Sequence, residues 1–530
     1  MKIETTVVRA SDLKDGEMKE VMVGETRVLL TRTKGKFHAI GNVCTHYGGY
    51  LHEGCRSGTG VYCPWHQSRF NVISGDLEEP PALDAVPRFE VRVEGDDVIV
   101  SVPEGVQDRR VPAMVKHNPA ADRRTFVILG AGGAGNMAAQ TLRQDGFEGR
   151  IIMLTAENSL PYDRPNLSKA YLYGDAPVDS LPWRSEQFYR DHDIEIRFGH
   201  RVTLVDPAAK IIEFATGARM SYDTLLLATG GVARPLEVPG GNLENVFTLR
   251  IIEDATRIIA AAGHASRAVV VGASFIGMEA AYSLAKRGLK VTVAAPGAVP
   301  FQKQLGPEIG RVLQQVHEGH GVSFRMGARV TRLAGDRQVK AVVLDSGEEL
   351  PADLVVAGIG VKPATDFLKG VPLNPDGSVP VDQRLRVAEG LYAAGDIARF
   401  PDWRTGEAIR IEHWRLAQQH GRVAAHNMAS KPVEFRGVPF FWSELFEAMP
   451  QYVGYVTDWD EIMVHGDLAA RNFVAFYVKK NRVLAACGLE HTAQMAAIAE
   501  LMRLDKLPTP EELRAHPGYD PMARLKELQK

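Results

Sequence analysis

The stretch TFVILGAGGAG, residues 125–135, decides the fold class of this chain. An apolar run reads as a buried strand and passes into Gly130-x-Gly132-x-x-Gly135, after which MAAQTLRQDG has the period of a helix. Gly130 permits the tight turn, Gly132 lets a pyrophosphate approach the backbone, and Gly135 lets helix and strand pack closely. The phosphates then rest on the helix N-terminus. The next strand, RIIMLTAE, ends at Glu157, at the separation of a carboxylate that accepts hydrogen bonds from a ribose diol. The triplet alone is weak; strand, triplet, helix and acid together specify a dinucleotide-binding unit.

Toward the C-terminus the pattern recurs in RAVVVGASFIGMEAAYSLAKRGLKVTVAA, from Arg267. Gly272 and Gly277 hold the outer positions and Ser274 the middle one, where its small side chain still allows close approach. The following strand ends in Ala294, Ala295 and Pro296 in place of an acid, so NADH and NADPH are both left open. LLLATGGVARP (225–235) and GLYAAGDIARF (390–400) flank this second unit, which predicts one nucleotide-binding domain nested inside another.

Toward the N-terminus, residues 1–104 read as short alternating runs such as FEVRVEGDDVIVSV, an all-β module. It carries Cys44-Thr45-His46 and Cys63-Pro64-Trp65-His66. Two thiolates on one iron and two imidazoles on the other are the ligand pattern of a Rieske [2Fe–2S] cluster. Tetrahedral zinc is the other ion these four donors could hold. Gly48-Gly49 after the first pair, and Ser68-Arg69-Phe70 and Gly75 after the second, favour the cluster.

At 530 residues and a formal charge of −3, the chain is long enough for several cores and has no charge bias toward nucleic acid or an anionic surface. No apolar stretch approaches the roughly 20 residues that span a bilayer, and the first residues lack a signal-peptide run. Of four cysteines, two belong to the ligand set; Cys55 and Cys487 read as small buried residues, and no redox pair such as C-x-x-C exists. The expected compartment is the cytoplasm.

The boundaries read as follows: Rieske domain 1–104, linker 105–123, FAD-binding domain 124–242 and 366–435, NAD(P)H-binding domain 243–365, and a C-terminal α+β domain 436–530. The fold class is thus multidomain: an all-β module, two interleaved α/β nucleotide-binding domains and an α+β end.

LPYDRPNLSKAYL (160–172), FIGMEAA (275–281), AAGDIA, IEHWRLAQQHGRVAAHNM (411–428) and VPFFWSE (438–444) resemble the corresponding segments of apoptosis-inducing-factor-like and putidaredoxin-reductase-like flavoproteins. With the Rieske module in front, the chain resembles the Rieske-fused members of that group over nearly its full length. The resemblance implies FAD and NAD(P)H beside the [2Fe–2S] cluster. It also implies roles: Arg164 and Arg234 on the FAD phosphates, Gly395-Asp396 on the ribityl chain, and Lys169 with Glu279 as a catalytic ion pair at the flavin N5 edge. Glu412, His413 and Trp442 would line the isoalloxazine.

A nicotinamide delivers two electrons as hydride and the cluster accepts one, so the flavin must stand between them. The expected path runs from NAD(P)H to FAD to the cluster and on to a ferredoxin, a cytochrome or an oxygenase component, in a monomer or homodimer. A second reading is a nicotinamide-gated signalling or binding protein with slow turnover. High-potential Rieske centres tie their ligand loops with a disulfide; here those positions are Gly49 and Trp65. Phe70 replaces a tyrosine donor, Ser68 is retained, and Gln67 stands where glycine is usual. Fewer donors to the sulfurs imply a potential on the order of −150 mV.

Overall fold

The computed structural model describes residues 1–528. The chain begins with a six-stranded antiparallel sheet ordered Lys2–Arg9, Asp97–Pro103, Arg88–Glu94, Lys36–Gly41, Thr26–Thr33 and Met18–Val23. Side-chain alternation along Thr26–Thr33 sends Val28 and Leu30 into one core and Leu29 into a second. That second core, with Ile40, Val61, Phe70 and Val72, also holds Cys44 and Cys63. It lies beneath a small sheet of Cys55–Ser57, Gly60–Tyr62, Arg69–Asn71 and Leu77–Glu79. The first Cys-His pair precedes this small sheet and the second lies between its second and third strands.

The glycine triplet joins strand Thr125–Leu129 to helix Gly133–Gln144. Around that strand runs a parallel sheet ordered Ile194–Arg197, Arg150–Leu154, Thr125–Leu129, Thr224–Leu227 and Leu391–Ala393, edged by antiparallel Arg386–Ala388. The chain leaves this sheet at Leu227 and returns at Leu391. Between them it builds a second parallel sheet: Val246–Thr248, Leu354–Ala357, Arg267–Val271, Lys290–Ala295 and Ser323–Met326. Such unbroken Val, Ile and Leu runs are what strands covered on both faces require. The outgoing and returning connections, Gly231–Ala233 and Val361–Pro363, pair with each other.

The last part is a five-stranded antiparallel sheet carrying helix Thr492–Arg503. Its edge strand is Phe440–Trp442. Among the described residues no helix is long and apolar enough to cross a membrane.

The N-terminal module is fixed to the rest by buried polar contacts. Helix Trp414–Met428 directs Arg415 to the carbonyls of Pro80 (2.8 Å) and Gln67 (3.1 Å), and Gln418 to that of Pro81. Arg422 reaches the Glu78 carbonyl at 2.7 Å, and Gln451 reaches those of Pro64 and Trp65. Arg184 forks onto both oxygens of Asp84, at 2.7 and 2.9 Å, with each side chain at most 7% exposed. A bidentate pair of this kind fixes orientation as well as position.

Candidate functional site

Cys44, Cys63 and His66 are buried and His46 is half-buried. Nδ1 of His46 and Nδ1 of His66 lie 3.0 Å apart, the same nitrogen of each ring turned to a common point. The two thiols meet separately, in hydrogen-bond contact with each other. The quartet thus presents itself as a sulfur pair and a nitrogen pair. Two irons need that division; one tetrahedral zinc ion does not.

The protonation states fit as well. Burial holds His46 down to about 3 and His66 well below its ordinary value, leaving both imidazoles neutral, the form that binds metal. The Cys44 thiol is held below its ordinary value, first by the Cys63 thiol, then by the His46 N–H, the Ser68 hydroxyl and the Tyr47 N–H. Ser68 accepts from the Ala82 N–H at 2.9 Å, which leaves its own proton to point at sulfur.

The two disulfide positions of high-potential centres are in contact here by packing. A Cβ added to Gly49 would lie 2.9 Å from Cδ2 of Trp65 and 3.1 Å from Sγ of Cys63. The indole therefore rests directly on Gly49, across the two ligand loops. Gln67 takes φ +60°, the left-handed region where glycine is favoured, and is buried. Its N–H donates to the Cys63 carbonyl, closing the loop.

At the first nucleotide cradle Gly130 has φ +114°, and a Cβ there would strike the Ala228 carbonyl at 2.1 Å. A Cβ on Gly135 would strike the Gly130 carbonyl at 1.8 Å, whereas one on Gly132 meets nothing within 4 Å. Gly132 thus faces open space above a helix N-terminus, which suits a pyrophosphate. Nearby, Trp414 packs over Gly133, and Nδ1 of His413 and Nε1 of Trp414 are buried without a protein partner, as polar atoms awaiting a ligand would be. Burial holds His413 down to about 4. The residues fit FAD. In the second cradle Gly272, at φ +108°, and Gly277 repeat the close approaches, and Ser274 begins helix Phe275–Lys286.

Glu157 accepts from Arg164 at 2.8 Å and from the Tyr162 hydroxyl at 2.6 Å. Arg164 also reaches the Arg250 carbonyl, and Arg250 in turn pairs with Asp396 at 2.7 Å. Arg250 carries no motif signal, yet it links two of the residues chosen from sequence. Arg234 is exposed on the interdomain connection, its Nε 3.4 Å from the Val361 carbonyl. Glu412 pairs with Arg410.

Lys169 and Glu279 form an ion pair of 2.7 Å, with side chains 11% and 4% exposed. Glu279 also accepts from Ser168 and, at 2.7 Å, from Ser443. Trp442 lies against His66 with ring centroids 4.2 Å apart, and Lys169 is close enough to lower the His66 pKa. Tyr47 donates to Asp163 and accepts from Asn166 at 2.7 Å. Burial raises Asp163 to about 6. Tyr47 and Asp163 sit beside or within quoted motifs, so adjacency was the signal that could have found them. Cys55 and Cys487 are fully buried in separate cores, with burial pushing Cys487 up to about 12. They offer no disulfide chemistry.

Three family models match: "Rieske [2Fe-2S] domain" over residues 4–90, "Pyridine nucleotide-disulphide oxidoreductase" over 124–421 and "Reductase C-terminal" over 440–529. Human apoptosis-inducing factor 3 is 38% identical over 511 residues, covering 94% of this chain and 84% of that protein. Putidaredoxin reductase of Pseudomonas putida is 32% identical over 409 residues, 76% of this chain and 96% of that one. A crystal structure of the covalent putidaredoxin reductase–putidaredoxin complex superimposes with a TM-score of 0.72 at 30% identity, over 77% of this chain and 99% of that chain.

Proposed function

Because the chain belongs to the pyridine nucleotide-disulphide oxidoreductase family, with a Rieske [2Fe–2S] domain before it and a reductase C-terminal domain behind, we infer that it is an NAD(P)H-dependent flavoprotein reductase that delivers electrons singly to a ferredoxin-type acceptor. Bound FAD converts a hydride into single electrons and the cluster carries one at a time. The observation that carries this reading is the shared seam. Trp442, from the flavoprotein part, lies against the His66 ligand of the Rieske part, and the Lys169 charge from the same part acts on that imidazole.

Each residue then has a task. Cys44, Cys63, His46 and His66 hold the irons; Gly130, Gly132, Gly135, Glu157, Arg164 and Asp396 hold FAD, with Arg250 added to them. Gly272, Ser274 and Gly277 receive NAD(P)H. Lys169, fixed by Glu279, presents a positive charge where nicotinamide meets flavin, and Ser168 and Ser443 keep Glu279 from turning away. His413 and Trp442 wall the flavin ring. Cytochromes and oxygenase components are further acceptors that a one-electron donor of this kind serves.

Anaerobic titration of the purified protein with NADH and then NADPH tests the reading. Flavin bleaching followed by a Rieske EPR signal is the expected result, with iron and acid-labile sulfide present in equal amounts. Zinc without sulfide, or a flavin that reduces while the cluster stays oxidised, overturns it.

A further inference from the structure

The second ligand loop, residues 63–66, is held at both ends by the C-terminal domain. Within the loop, the carbonyls of Pro64 and Trp65 accept from Gln451, and Gln451 pairs across the sheet with Trp442, the residue that lies on His66. At the entrance, strand Gly60–Tyr62 delivers the chain to Cys63, and the Tyr62 hydroxyl donates to Glu500 at 2.7 Å. Glu500 stands on helix Thr492–Arg503.

That helix has two working faces. Met495, Ile498, Ala499 and Met502 pack with Phe440 and Val453 of the C-terminal sheet. Ala496, Ala497 and Leu501, together with Leu525 of the last helix, pack on Cys55 and Tyr62 of the Rieske module. Apolar contact is non-directional, so by itself the second face leaves the module free to slide. Glu500, 1% exposed, removes that freedom with a hydrogen bond of fixed direction. Arg503 Nε donates to the same carboxylate oxygen as Tyr62, and Arg503 Nη2 to the other, both at 2.6 Å. Burial pushes the Glu500 carboxyl up, but the bonds from Arg503 outweigh it and hold the group below its ordinary value.

We propose that Glu500 is a positioning residue: by fixing Tyr62 it sets where His66 lies on Trp442, and so how fast the reduced flavin passes an electron to the cluster. It acts through the strand that enters the ligand loop, and not on the irons or the nucleotide. The proposal rests on the reductase reading.

Stopped-flow mixing of the full-length holoprotein with NAD(P)H, following flavin and cluster separately, provides the test. Glu500→Asp keeps the charge but draws its oxygens back by about 1.5 Å, one carbon–carbon bond. Glu500→Gln keeps the reach and an oxygen for Tyr62, while Arg503, 41% exposed, can swing aside. Cluster reduction is expected to slow about tenfold in Glu500→Asp and no more than about threefold in Glu500→Gln, since displacement of about an ångström far from the reacting atoms is enough for such a loss. Flavin reduction, the cluster's EPR g-values and its midpoint potential should be the same in all three proteins, so neither hydride transfer nor driving force accounts for the slowing. Where Glu500→Asp does not retain its cluster, Tyr62→Phe, which removes only the hydroxyl, takes its place with the same expected slowing. An unaltered rate of cluster reduction overturns the proposal. So does a glutamine variant as slow as the aspartate one or slower, which would make charge and not reach the property that counts. Failure of the reductase reading shows differently, as a cluster that NAD(P)H never reduces in the unaltered protein.

Discussion

Ser68 has one hydroxyl proton and one sulfur to give it to. Ser68→Ala removes that hydrogen bond from Cys44 and should lower the cluster's potential. A neutral hydrogen bond contributes about 1 kcal/mol, or about 40 mV for a one-electron couple. An EPR-monitored redox titration reads the shift. Asp163 gives a second prediction. Burial raises its pKa in the fold to about 6 from the ordinary 3.8, so the folded state holds the extra proton between those values. Stability therefore falls as pH rises through that window. Asp163→Asn escapes this loss, so its stability relative to the unaltered protein should rise between pH 4 and 7. The gain is on the order of 2–3 kcal/mol, read from denaturant midpoints at each pH. Gln67 shows how sequence and structure meet at this scale. The departure from glycine is visible in the chain, but the left-handed backbone that makes it costly, by about 1–2 kcal/mol, appears only in the fold.

Helix Trp414–Met428 works at the scale of an element. One face packs on the fingerprint helix, where a Cβ on Gly421 would strike the Ala134 carbonyl at 2.0 Å; Arg415, Gln418 and Arg422 hold the Rieske module. Arg415→Met should leave the Pro80 and Gln67 carbonyls buried without donors, at about 1–3 kcal/mol for each. Cluster reduction should slow relative to flavin reduction in stopped-flow traces, with a lower melting temperature. The nucleotide-binding units were legible from strand, glycine triplet and helix, because apolar period and glycine spacing are written in consecutive residues. The ligand quartet was legible for the same reason. The interdomain seam was not. Apart from Arg184 on Asp84 and Gln419 on Glu79, the donors that reach residues 64–84 from the flavoprotein part address main-chain oxygens, which every residue carries, so side-chain pattern marks the receiving segment only weakly.

At the scale of the molecule, Glu279 joins three parts of the chain: Lys169 and Ser168 from the first nucleotide-binding domain, its own helix in the nested one, and Ser443 from the C-terminal sheet. Lys169→Ala and Glu279→Ala should each slow flavin reduction by NAD(P)H while sparing the cluster's spectrum. Stranding one buried charge costs up to about 3–5 kcal/mol, and each 1.36 kcal/mol acting on the transition state is about tenfold in rate. The double variant should lose less than the two singles combined, since the pair acts as a unit. Stopped-flow reduction at the unaltered rate in both singles would show that the pair is only structural.

The grip on main-chain carbonyls reaches beyond any single variant. A clasp that recognises chiefly the path of the backbone, with Gln419 also holding the Glu79 carboxylate at 2.7 Å, leaves much of residues 77–81 free to drift as lineages diverge. What selection must hold constant in that segment is its curvature. Two descendants of one ancestor could share few letters there and still present interchangeable Rieske modules to the same reductase.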